Sequence, residues 1–114
     1  MADNIVYIDV SEGSKRVMNN TKLYAKLLAK FIDDKSAVQF ETALADEDNE
    51  AARSAAHAVK GLAANLSLIE LFNKSLEVET SIKSNTLKAD QITNFKNVYT
   101  KTIEEIGKVI AQYA

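Results

Sequence analysis

Apolar residues recur every three or four positions along most of this chain, and the interruptions between those recurrences divide it into helices. Leu23, Tyr24, Leu27, Leu28, Phe31 and Ile32 share one side of a helical wheel, with Lys22, Lys26, Lys30 and Asp33 between them. That spacing predicts an amphipathic helix capped by Asn20 or Thr21. Ahead of it, Ile5 to Ile8 form a short apolar run, either an extended lead-in or a cover for one end of a bundle. Asp9 or Ser11 can then cap a short helix ending near Asn19 and Asn20. After Asp33-Asp34-Lys35, Ser36 and Gln39 have the spacing of a capping box, and Phe40, Ala43 and Leu44 supply the inner face of the helix it opens.

The acidic cluster Asp46-Glu47-Asp48 breaks the pattern and lacks the glycine and spaced ligands of a calcium loop, so it reads as a solvated connection. Asp48 can cap the next helix, which runs from about Asn49 to Asn65 or Leu66, with Glu50 placed to complement its dipole. Ser67 and Glu70 repeat the capping-box spacing and open a helix carrying Leu68, Leu71, Phe72, Ser75, Leu76, Glu79 and Ile82 on one side. A polar connection, Ser84 to Ala89, leads to a last helix capped by Asp90. Its stripe is Ile92, Phe95, Tyr99, Ile103, Ile106, Ile110 and Tyr113. The expected fold is all-α, an antiparallel up-and-down four-helix bundle with a short additional N-terminal helix.

Composition supports this reading. There is no proline and there are only three glycines in 114 residues, so helix breakers are scarce. The length fits a single domain, residues 1–114 with 1–8 as lead-in. The absence of cysteine excludes disulfides and thiolate chemistry, and a single histidine leaves no metal-ligand cluster. A formal charge of −2 with mixed signs argues against nucleic-acid binding. No segment has the length of a membrane span or the basic flank of a secretion signal, so a soluble, cytoplasmic protein is expected.

The chemistry concentrates in Ala56-His57-Ala58-Val59-Lys60-Gly61-Leu62-Ala63-Ala64-Asn65. At about 100° per residue, Arg53, Lys60, Gly61 and Ala64 lie within roughly 60° of His57. Val59, Leu62 and Leu66, with Ala55, Ala56 and Ala63, lie opposite and point into a core. His57 is therefore expected to face water, either as an ordinary exposed histidine or as a nucleophile. Neutral imidazole is nucleophilic near neutral pH. Lys60 can neutralise charge on a transferring phosphoryl group, Arg53 can assist from one turn away, and Gly61 and Ala64 leave room for a partner to close over the ring. Gly61 costs the helix up to about 1 kcal/mol relative to alanine, a cost with no purely structural motive on an outward face. The short turn after Leu66 makes the next helix antiparallel, which can bring Glu79 alongside His57; an acid on an apolar seam wants a partner.

These residues resemble the histidine-containing phosphotransfer (HPt) domains of two-component phosphorelays. The likeness runs from Tyr7-Ile8-Asp9 through Leu23-Tyr24-x-x-Leu27-Leu28-x-x-Phe31 and Ala56-His57-x-x-Lys60-Gly61 with Asn65-Leu66, to Leu71 and Glu77. The resemblance implies that Nε2 of His57 accepts a phosphoryl group from a receiver-domain aspartate and passes it to another receiver. It also implies phosphate-stabilising and clearance roles for Lys60 and Gly61. Glu79 stands roughly where some relatives have a polar residue bonded to the imidazole Nδ1. Ser67 replaces a glycine common at that turn in the family. The implied partners are response-regulator receivers and a hybrid histidine kinase, with the divalent cation supplied by the receiver and no cofactor of the protein's own. No nucleotide-binding glycine-rich loop is present, so no ATP-dependent kinase activity is expected. The competing reading is a non-catalytic helical adaptor for a receiver or kinase, and a self-contained enzyme is disfavoured because one histidine without an adjacent acid, thiol or metal cluster offers a single nucleophile.

Overall fold

The computed structural model describes residues 5–113. Met1 to Asn4, part of the expected lead-in, and Ala114 lie outside the described residues. Six helices follow in order: α1 (Val10–Lys15), α2 (Thr21–Ile32), α3 (Ser36–Ala45), α4 (Asn49–Leu66), α5 (Ile69–Lys83) and α6 (Ala89–Tyr113). The all-α bundle with a short leading helix is the observed architecture, with one more long helix than a count of four. Successive helices α4, α5 and α6 are neighbours, α6 returns to α2, and α3 lies along α4. Phe40 of α3 meets Phe95 of α6 with ring centroids 4.9 Å apart, and Phe31 of α2 meets Tyr99 of α6 at 6.1 Å. Among the described residues no helix is long and apolar enough to cross a membrane.

Three of the expected caps form. The carboxylates of Asp9 and Asp48 and the side-chain oxygen of Asn20 accept hydrogen bonds from the backbone N–H of Glu12, Ala51 and Leu23 at 3.0, 3.1 and 3.0 Å respectively. Three others are corrected. Ser36 is the first residue of α3 rather than its cap, because Asp34 takes the Ser36 N–H at 2.8 Å in the tight link from α2. Ser67 caps the end of α4 instead of the start of α5. With only Ser67 and Leu68 to reverse the chain, Ser67 adopts the left-handed conformation (φ 58°, ψ 41°) and the Leu68 N–H returns to the Ala63 carbonyl at 2.9 Å. That backbone requirement explains why a glycine suits this turn. Asp90 lies inside the first turn of α6, and Gln91 Oε1 instead accepts from the Lys88 N–H at 2.9 Å.

Three apolar assignments and one helix end also shift. Leu23, Ile32 and Leu76 are exposed, since they sit at the edges of stripes whose centres, Tyr24, Leu28, Leu71 and Ser75, fill the interior. The first helix ends at Lys15 rather than near Asn20, because Met18 and Asn19 both take positive φ and turn the chain into α2.

The lead-in is an extended clasp on the α4–α5 turn. The Ile69 N–H donates to the Tyr7 carbonyl and the Asp9 N–H to the Ser67 carbonyl, both at 3.0 Å. Ser67 Oγ donates to Glu12 Oε1 at 2.7 Å, and the buried Tyr24 hydroxyl donates to the Leu66 carbonyl at 2.5 Å. Gly13 lies so close to the Tyr24 ring that a Cβ there would collide with it, so α1 can approach α2 only with glycine at that position. Burial, reinforced by Asp9 and Glu12, pushes the Tyr24 phenol up to about 12. A raised acid favours the fold while neutral, so this contribution is complete below pH 10 and is lost as pH climbs through about 12. Tyr24→Phe is expected to cost about 1–3 kcal/mol at pH 8 by stranding the Leu66 carbonyl. Urea midpoints should show the wild-type advantage shrinking between pH 10 and about 12.

Candidate functional site

The rigidity of the site begins with α4. Capped by Asp48 and carrying Glu50 in its first turn, this helix buries Ala52, Ala55, Ala56, Val59 and Ala63. Such small side chains let the neighbouring helices approach closely, and the helix axis is held from the inside while the opposite face stays open. His57 lies on that open face with 65% of its side chain exposed, as the periodicity predicts.

The antiparallel return of α5 brings Glu79 beneath the ring. Its Oε2 is 2.9 Å from His57 Nδ1, and its Oε1 is 2.8 Å from the Lys60 ammonium. The carboxylate is only 8% exposed. Burial alone would raise its pKa, but Lys60 and His57 outweigh burial and hold it below the usual carboxylate range. Oε1 receives no well-directed hydrogen bond, so the Lys60 contact acts there as an ion pair. An ionised carboxylate can only accept, so Nδ1 must carry a hydrogen. The remaining ring nitrogen, Nε2, has no bonding partner among the described residues.

The other predicted residues divide. Gly61 is exposed, and a methyl group in place of its hydrogen would meet no atom within 4 Å, so close packing inside the chain does not account for it. Arg53 shares the His57 face by angle, but its guanidinium turns back to Glu50 at 2.7 Å. Ala64 is half-buried and lines a shallow recess with Arg16, Ser67, Phe72 and Asn73 at the far end of α4. His57, Lys60 and Glu79 are thus drawn into one cluster, with Gly61 clearing space beside it.

Two further features escape a helical wheel drawn on α4 alone. Lys83, one turn beyond Glu79 on α5, joins Arg53, Asn49 and Ile82 around an open recess. Its i+4 spacing from Glu79 was the available signal. On the other flank of α4, Leu62 and Asn65 border a groove of 580 Å³ floored by Leu27, Phe31 and Leu66 and edged by Arg16. That groove spans helices distant in sequence, so no local pattern announces it. Among the described residues no group of three or more His, Cys, Asp or Glu side chains is placed to hold a metal ion.

A helical bundle that exposes one imidazole, tethered from below by a buried carboxylate, is a scaffold for chemistry at a single histidine nitrogen. The family model of the Hpt domain matches residues 26–106, and the chain belongs to that family. Hpt domains carry out histidine phosphotransfer in two-component relays, working with receiver domains and kinases. Neither a comparison with curated proteins nor one with solved structures finds a significant match.

Proposed function

We propose that this protein is a phosphorelay carrier that accepts a phosphoryl group on Nε2 of His57 from a receiver-domain aspartyl phosphate and passes it to another receiver. The observation that carries the reading is the 2.9 Å tie between Nδ1 and Glu79, which leaves Nε2 as the free nitrogen of an exposed ring. The Nε2 lone pair attacks phosphorus as the bond to the aspartyl oxygen breaks, and that oxygen leaves with the bonding pair as a carboxylate. Lys60, paired with the carboxylate that holds the ring, would share its charge between Glu79 and the incoming phosphoryl oxygens, with Arg53 as a looser second cation. The divalent cation belongs to the receiver, and a kinase feeding such a relay would be of the hybrid type. A carrier of this kind works in the cytoplasm and needs no ATP of its own.

Incubation with phosphorylated receiver domains from the source organism tests the reading. Label should move to the protein as an acid-labile, base-stable phosphoryl group, and His57→Gln should abolish it. A receiver that binds without ever transferring phosphate to His57 would instead make the protein an adaptor.

A further inference from the structure

Resting on the carrier reading, we infer that Glu79 makes phosphorylated His57 a fast donor, by keeping a proton on Nδ1 while the phosphoryl group occupies Nε2. When the P–N bond breaks, its electron pair returns to Nε2. If Nδ1 carries no proton, the departing group is an imidazolate anion; if it does, the departing group is neutral imidazole, a far better leaving group. The acceptor, a receiver carboxylate or water, supplies the new bond to phosphorus, and the Nδ1 proton stays where it is.

The geometry supplies the restraint. Glu79 Oε2 lies 2.9 Å from Nδ1, on a carboxylate that is almost wholly buried and cannot turn to water. A charge-assisted hydrogen bond from Nδ1 to an ionised carboxylate stabilises the protonated ring. The charged group in contact with the ring is Glu79 on α5, whose other oxygen meets Lys60 on α4, while Arg53 on α4 and Lys83 on α5 line a separate recess toward the start of α4. Glu50 already balances Arg53, and Lys60 balances Oε1, leaving Oε2 for the ring. A phosphoryl group on Nε2 competes with Glu79 for Lys60. As that ammonium turns toward phosphoryl oxygens, the carboxylate loses a counter-charge and holds the Nδ1 proton more firmly. Acceptance and donation are thereby coupled through one lysine.

The test needs no partner. Wild type, Glu79→Gln and Glu79→Asp are labelled with phosphoramidate, freed of donor, and followed for loss of phosphohistidine between pH 6 and 10. The Nδ1 titration of phosphorylated wild type is read in parallel by ¹⁵N NMR. The wild-type loss rate should stay flat further into the alkaline range than that of Glu79→Gln. The Gln variant lacks the carboxylate that keeps the departing ring protonated and should hold its phosphoryl group about tenfold longer near pH 9, with Glu79→Asp restoring part of the wild-type profile. Identical profiles in wild type and Glu79→Gln, or an unshifted Nδ1 titration in phosphorylated wild type, would overturn this role for Glu79 and leave the carrier reading standing. No label on any of the three would sink the carrier reading and this role together.

Discussion

Leucine at position 61 is expected to slow transfer from a phosphorylated receiver about a hundredfold, while labelling of His57 by phosphoramidate changes less than about threefold. The separation follows from where Gly61 sits. A Cβ there meets nothing beyond its own stretch of helix, so the added side chain starts into open space rather than into the core. It adds bulk only on the side from which a macromolecular donor must arrive. Bringing phosphorus in line with Nε2 requires a near-attack geometry, and a displacement of about 1 Å is enough to cost two orders of magnitude. A small donor approaches around the added side chain. Stability should move the opposite way, because leucine is a better helix former than glycine by up to about 1 kcal/mol. Gly107 on α6 provides the internal control: it too is exposed with open space around its Cα, so Gly107→Ala should stabilise comparably without touching transfer. Equal losses with both donors at Gly61→Leu would mean that the substitution damages the imidazole itself, and the clearance role would fall.

The helical spans were legible because nearly every segment is long enough for its apolar stripe to close on itself. The limits of α4, Asn49–Leu66, match those read from Asp48 and the end of the alanine-rich face. What misled was the capping-box spacing. Ser36 and Ser67 both stand three residues before an amide or acid side chain, yet each was claimed by a tighter geometric demand from a link of two or three residues. Local sequence records the residues available for a cap, whereas chain reversal decides which of them is free to act.

The site shows the same division. The outward placement of His57 follows from periodicity, and the acid on the seam of α5, with the short turn before it, pointed to Glu79 as the neighbour of His57. Sharing a face was a poor guide for Arg53, since an angle on a wheel carries no information about the competing carboxylate of Glu50 one turn away. The place of Glu79 beside His57 was readable from the short turn, but its second contact with Lys60 was not, because the register depends on how the α4–α5 turn is made. That turn depends in turn on Ser67 and on the Tyr7–Asp9 clasp, contributed by residues nearly sixty positions away.

Phe40→Ala is expected to give the largest loss of stability, about 3–5 kcal/mol. Phe40 is fully buried and rests on Phe95, with the rings tilted by 56°. Removing it deletes the transfer free energy of an aromatic side chain and leaves a cavity between α3 and α6 that only partial relaxation can close. Offset aromatic contact adds about 0.5–1.5 kcal/mol beyond area burial, and that part is lost too. Because α3 lies directly along α4, the cavity also loosens the wall against which the histidine helix is braced. A domain of this size holds about 5–15 kcal/mol in total, so the variant should stay folded at low temperature with a much reduced urea midpoint and an unchanged slope. Phe95→Ala should cost a similar amount, and the double variant clearly less than the sum, since the two substitutions empty one shared space. Strict additivity would show that the two rings stabilise the bundle independently and that their contact contributes nothing of its own.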